Sequence, residues 1–209
     1  MKCIVHESMI FPPAIVYSHY VKVEEVKIEV CEHYQKRSFR NRYFLSGPNG
    51  ILSMSIPLEK GKNYRTPIKE VKISYAENWV GQHINTIKSC YGSSPYFIHY
   101  SDEIFALLER RFSYLLDLNE NARELISKIT GIRIATGQTE QYQEQPQCQD
   151  LRDRYGIKSK ISSGITYSQV FEEKFGFIDG LSILDLVFCT GPESKILLTR
   201  MIHEDDRST

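Results

Sequence analysis

The 209-residue chain lacks any net charge, since 26 Lys and Arg balance 26 Asp and Glu. No global field therefore draws it to nucleic acid or to an anionic membrane, and neither is expected as a partner. It also lacks an apolar run of 18 residues, so no segment reads as a membrane-spanning helix. Met1 to Phe11 carries neither the apolar core nor the cleavage site of a signal peptide. Cysteine is sparse: Cys3, Cys31, Cys90, Cys148 and Cys189 are an odd number, scattered and without a CxxC pair. That pattern argues against a disulfide framework and a structural zinc site, and fits reduced thiols in a cytoplasmic protein. The six histidines are dispersed, so no metal site is expected. Glycine-rich phosphate loops and dinucleotide fingerprints are missing too, and no cofactor is expected. No internal repeat stands out.

What remains is an ordinary globular composition, 41% hydrophobic and 25% charged, rich in Tyr and Phe. Its length suits one domain over residues 1–209. Lys2 to Val5 reads as a first strand, which delivers the polar residues His6, Glu7 and Ser8 to its end. Phe11-Pro12-Pro13 breaks the chain before a helix over 14–23. Val26-Lys27-Ile28-Glu29-Val30 alternates as a half-buried strand should. Residues 42–45 and 51–56 flank Gly47-Pro48-Asn49-Gly50 and predict a hairpin. A loop over 59–67 precedes a strand over 68–74.

Asn78 caps a helix that puts Trp79 and His83 on one face. Ser101 caps the next, with Ile104, Leu107, Leu108, Phe112, Leu115 and Leu116 as its stripe. Asn119 to Thr130 forms a third, ended by Gly131. Ile132 and Ile134 suggest a short strand. The stretch from Thr136 to Asp150, with six glutamines, reads as a low-complexity connection. Residues 158–162 suggest a strand. Leu181 to Cys189 starts a last helix with Ser182 and Asp185 as a capping box, and 203–209 is a frayed tail. The fold class is thus α/β: a mixed β-sheet built from the N-terminal half, with flanking helices and a helical middle section.

One stretch is unbalanced. Between His33 and Arg42 lie Lys36, Arg37, Arg40 and Arg42 with no acid, interleaved with Tyr34 and Phe39. Such a cluster needs a bound anion or acids from elsewhere in the fold. Arg40 and Arg42, two apart on a strand, share a face and suit a phosphate or carboxylate; Glu32 and Asp185 are the internal alternatives. The candidate binding set is Lys36, Arg40, Asn41, Arg42, Tyr34 and Trp79. His83, on the apolar helix face, is a candidate general base or a satisfied core residue. Glu32 is a second candidate base and His6 a third.

Islands along the chain carry a resemblance: Phe11-Pro12-Pro13 with Tyr17, Glu32 to Lys36, Arg40-Asn41-Arg42, Gly50, Ser55, Pro57, Trp79, His83, Tyr91 and Ser94 to Phe97. Later come Tyr167, Phe171, Phe175 to Phe177, Leu181 to Asp185 and Gly191-Pro192. Together they resemble the WbqC-like family. The resemblance implies a bacterial protein of surface-polysaccharide and O-antigen synthesis, a transferase placing an acyl or aminoacyl group on an amino sugar. The small-molecule partner is then a nucleotide-linked sugar or an acyl donor. The alternative is a non-catalytic binding or assembly protein of the same pathway. Members begin with His-Gln-Pro where this chain has His6-Glu7-Ser8, and the segment before Tyr167 is short here.

Overall fold

The computed structural model describes residues 2–59 and 66–201. β1 (Cys3–Glu7) lies inside a four-stranded sheet, beside β2 (Glu25–Glu29). The two run parallel, with Val5 opposite Lys27 and Glu7 opposite Glu29. β5 (Ala135–Gln138) pairs with the far side of β2 and β6 (Gln149–Asp150) with the far side of β1, both parallel. Parallel neighbours need a crossover, and α1 (Ala14–Tyr20), wholly buried, supplies it between β1 and β2. Side chains alternate across a strand, so Ile4 and His6 face α1 while Val5 and Glu7 face the other side.

The predicted hairpin is present as β3 (Arg42–Gly47) and β4 (Gly50–Ser55), a separate two-stranded sheet joined by Pro48-Asn49. Gly50 takes a φ of 110°, open to glycine alone at little cost. α2 (Trp79–Tyr91) starts where Asn78 accepts the Gly81 N–H at 3.2 Å. It is followed by α3 (Phe97–Glu109) and α4 (Leu115–Thr130), the latter stopped by Gly131 in the left-handed region. A short α5 (Glu172–Phe175) precedes α6 (Ile183–Thr190) and α7 (Ser194–Arg200). Leu184, Leu186, Val187 and Phe188 of α6 are fully buried, which makes this helix the apolar centre of a single compact α/β domain.

Several expectations change. The strands divide between a wholly parallel sheet and a hairpin, and two sheet strands come from 135–150, outside the N-terminal half. The glutamine-rich stretch is therefore structured at both ends: backbone hydrogen bonds to β2 and β1 override its polar composition. Residues 68–70 form a 3-10 turn, and 158–162 form no strand. Ser101 lies inside α3, and Phe112, Leu115 and Leu116 fall beyond its end. Ser182 caps α6 by accepting the Leu184 N–H, but Asp185 bonds Tyr167 and Gln169 instead of closing a capping box. The expected loop at 59–67 falls in part, and the tail at 203–209 wholly, outside the described residues.

Cys3 and Cys148 are joined as a disulfide across a sequence separation of 145, which corrects the expectation of five reduced thiols. Neither cysteine has a sequence neighbour that signals the bond; the sheet brings Cys3 and the residue before β6 together. Denatured, unreduced protein should titrate three thiols, those of Cys31, Cys90 and Cys189. Cys148→Ser should lower stability by up to about 5 kcal/mol in chemical unfolding, because a loop this long loses most entropy when closed.

Candidate functional site at the carboxyl edge of the parallel sheet

Parallel strands deliver their following residues to one edge, the usual place for a ligand in open α/β sheets. Here that edge collects Glu7 from β1, Glu29 and Glu32 from the end of β2, Thr139 after β5, and Arg152 and Asp153 after β6. Arg40 enters from the loop before β3 and is fully buried. Its Nε and Nη2 donate to the two Glu32 oxygens at 2.7 and 2.5 Å, and its Nη1 donates to Asp153 Oδ1 at 3.0 Å. Asn119 of α4 donates to the Arg40 carbonyl at 2.8 Å and to Ser8 Oγ at 3.1 Å, which fixes the loop against β1.

Glu7 is buried beside this group and accepts the Asp153 N–H at 3.1 Å. Burial lifts its carboxyl to about 7, against the pull of the Arg40 guanidinium. Burial likewise raises Glu32, opposed by its bonds to Arg40. Burial by itself would lower Arg40, but Glu32, Glu7 and Asp153 together hold its proton more tightly than usual. Asp153 and Arg37 both have positive φ, 55° and 57°, at a cost of about 1 kcal/mol or more each. The bonds that Asp153 accepts from Arg40 and Gln35, and the one its N–H donates to Glu7, hold it there.

Next to this cluster, on the face of the sheet away from α1, lies a cavity of about 540 Å³. Its floor is Val5, Lys27 and Glu29, and the glutamine-rich loop with Arg152 closes it. Arg152 bonds Asp150, Glu29 and the Gln143 carbonyl, and lies 4.6 Å from the Tyr142 ring. Both Glu29 oxygens are engaged: Oε1 accepts from the Cys31 N–H and the Thr139 hydroxyl, Oε2 from Arg152. Amides, carboxylates, a hydroxyl and cations dominate the wall. The size lies within the range of small-molecule sites.

The structure gathers Glu32, Arg40 and, nearby, the loop of Lys36, but separates the other candidates. Arg40 precedes β3, so it does not share a strand face with Arg42, and its charge is met by internal acids in place of an anion. Glu32 is locked on Arg40. Lys36 and Arg37 are exposed, and Arg42 keeps a buried Nε without a hydrogen-bond partner among the described residues. Asn41 accepts from Tyr34 and donates to the Ile56 carbonyl, which ties the hairpin to the loop before it.

His6 faces the opposite side of the sheet, its Nε2 2.7 Å from the Tyr20 hydroxyl, and burial lowers it to about 4. His83 is buried between Trp79 and Tyr43, 2.8 Å from the Tyr43 hydroxyl, and burial lowers it to about 4 as well. It is a neutral, satisfied core histidine, with no contact to Glu32 or Asp185 among the described residues. Trp79 is buried, and its Nε1 has no hydrogen-bond partner among the described residues.

Glu7, Glu29, Arg152 and Asp153 were not singled out from the sequence. Only Glu7 had a signal, as a polar residue just past a strand. The others depend on which strand pairs with which.

These features define a single-domain α/β protein with a charged, polar cavity at the carboxyl edge of a parallel sheet. The chain belongs to the WbqC-like protein family, which it matches over residues 8–163. Comparison with curated proteins and with solved structures gave no match. The family match begins just after Glu7 and ends before α6.

Arg40→Ala should cost about 3–5 kcal/mol in urea unfolding, since it leaves the buried Glu32 carboxylate without its partner. The Glu7 carboxyl has a folded pKa near 7 against an ordinary 4.5. Its contribution to stability is therefore complete below pH 4.5 and lost as pH rises through 7. Glu7→Gln should flatten the decline in unfolding midpoint between pH 5 and 8, by an amount on the order of 2–3 kcal/mol.

Proposed function

We propose that this protein places an acyl or aminoacyl group on an amino sugar during bacterial surface-polysaccharide synthesis, with the sugar in the 540 Å³ cavity. The composition of that cavity carries the reading. Gln138, Gln141, Gln143, Gln147, Glu140 and Thr139 line it with donors and acceptors suited to a ring of hydroxyls, while a hydrophobic ligand would leave these groups unpaired. Family membership supports the polysaccharide setting. Of the candidate binding residues, Lys36 and Arg42 are the cations left to meet an anionic donor.

In such a transfer the amine nitrogen forms a bond to the acyl carbon, the leaving group takes the electron pair of the bond that breaks, and the nitrogen loses a proton. Glu7 is the group whose proton affinity suits that last step. It follows Val5 by two positions, so it lies about 7 Å further along the same face of the sheet, next to Glu29 of the cavity floor. One observation favours a non-catalytic reading, in which the protein only binds or presents the sugar. Glu7, Glu32, His6 and His83 are all buried, and none is among the residues lining the cavity.

Calorimetry with a panel of nucleotide-linked amino sugars, with and without acyl donors, tests both readings. Gln141→Ala and Lys27→Ala should each weaken sugar binding about tenfold or more with little change in melting temperature. Glu7→Gln should keep binding and lose turnover if the protein is a transferase. Binding without turnover in the unaltered protein supports the non-catalytic reading, and binding insensitive to the cavity variants removes both.

A further inference from the structure

Lys27 lies half-buried on the floor of the 540 Å³ cavity, in the middle of β2. In register it stands between Val5 of β1 and Gly137 of β5, with an apolar side chain on one flank and none on the other. The carboxylates around it are turned elsewhere. Glu29 accepts from Cys31, Thr139 and Arg152, and Asp150, paired with the far side of Val5, accepts from Arg152. Glu25 leans over Gly137: a Cβ on that glycine would stand 3.7 Å from Glu25 Oε1. Glu140, on the wall, is exposed, and solvent screens its charge. No hydrogen bond or ion pair links Lys27 to any described residue. Of the two cations that line the cavity among the described residues, Arg152 is thus neutralised from within the fold and Lys27 is left over.

We propose that the sugar held in this cavity is an acidic one, whose anionic group, a carboxylate or a phosphate, sits on the Lys27 ammonium. This rests on the reading of the cavity as a sugar site and adds the charge of the ligand to it. An ammonium facing a cavity gains more from an anion than from a hydroxyl, because a hydrogen bond between charged groups is roughly twice as strong as a neutral one. The ring hydroxyls are then left to the amide side chains of the glutamine-rich loop. The register also sets a direction. Glu29 follows Lys27 by two positions, about 7 Å along the strand, and its partner on β1 is Glu7. A sugar with an anion at one end and an amine at the other matches a floor with a free lysine at one end and carboxyl groups at the other.

Calorimetry on the full chain compares three probes: glucosamine, its 1-phosphate, and its uronic acid, which carries a carboxylate in place of the hydroxymethyl group. At least one of the anionic sugars should bind about tenfold or more tighter than glucosamine. Lys27→Met should remove that advantage while glucosamine affinity and melting temperature hold, and Lys27→Arg should retain it. Added salt should weaken the anionic sugar alone.

The anionic probe that binds tighter identifies the group, a carboxylate for the uronic acid and a phosphate for the 1-phosphate. Equal binding of all three, or an advantage that survives Lys27→Met, overturns the proposal; the sugar reading then still stands if Gln141→Ala weakens all three. Failure of all three to bind removes that reading and this proposal with it.

Discussion

The buried Arg40 guanidinium is the constraint on which the carboxyl edge of the sheet depends. Burying an arginine costs several kcal/mol unless its hydrogen bonds are met, and here the two Glu32 oxygens and Asp153 meet them. The ends of β1, β2 and β6 and the loop before β3 are thereby pulled to one point. Glu7 adds a third carboxyl, and burial, which the pull of the single cation only partly offsets, raises its proton affinity. The strained backbone at Asp153 persists because the same group holds it from several sides.

Around that point the molecule separates its polar work from its core. The face of the sheet toward α1 is packed with apolar side chains and the His6–Tyr20 pair, while the other face is covered mainly by the glutamine-rich loop, tied down by the Cys3–Cys148 bond at one end. A face covered by a polar loop leaves a cavity with polar walls. A face covered by a helix does not. Residues 152–155 run between the cavity of about 540 Å³ and a smaller one of about 330 Å³, so a single short segment contributes walls to both.

Much of the framework was legible in the residues. Alternation named β2, the Gly-Pro-Asn-Gly turn named the hairpin, and Asn78, Gly131 and Ser182 marked helix ends that the structure uses, because such signals act through a residue's own backbone. The family resemblance was legible for a similar reason, since short ordered islands survive as sequence. The site was less so. The cationic stretch was visible as a charge imbalance, and the two resolutions, bound anion or internal acids, cannot be separated by counting charges along a chain.

Tertiary structure chose the internal acids for Arg40, because Glu32 lies eight residues away and Asp153 well over a hundred, and only sheet pairing puts both within reach. The same holds for Cys3 with Cys148, and for the strands β5 and β6 hidden in a stretch whose composition reads as a connection. By itself the sequence determined the α/β class, the local turns and caps, and the family. Which charges neutralise one another, which histidines are sealed in the core, and where the cavities open were decided by contacts between residues far apart in the chain, which local propensity does not encode.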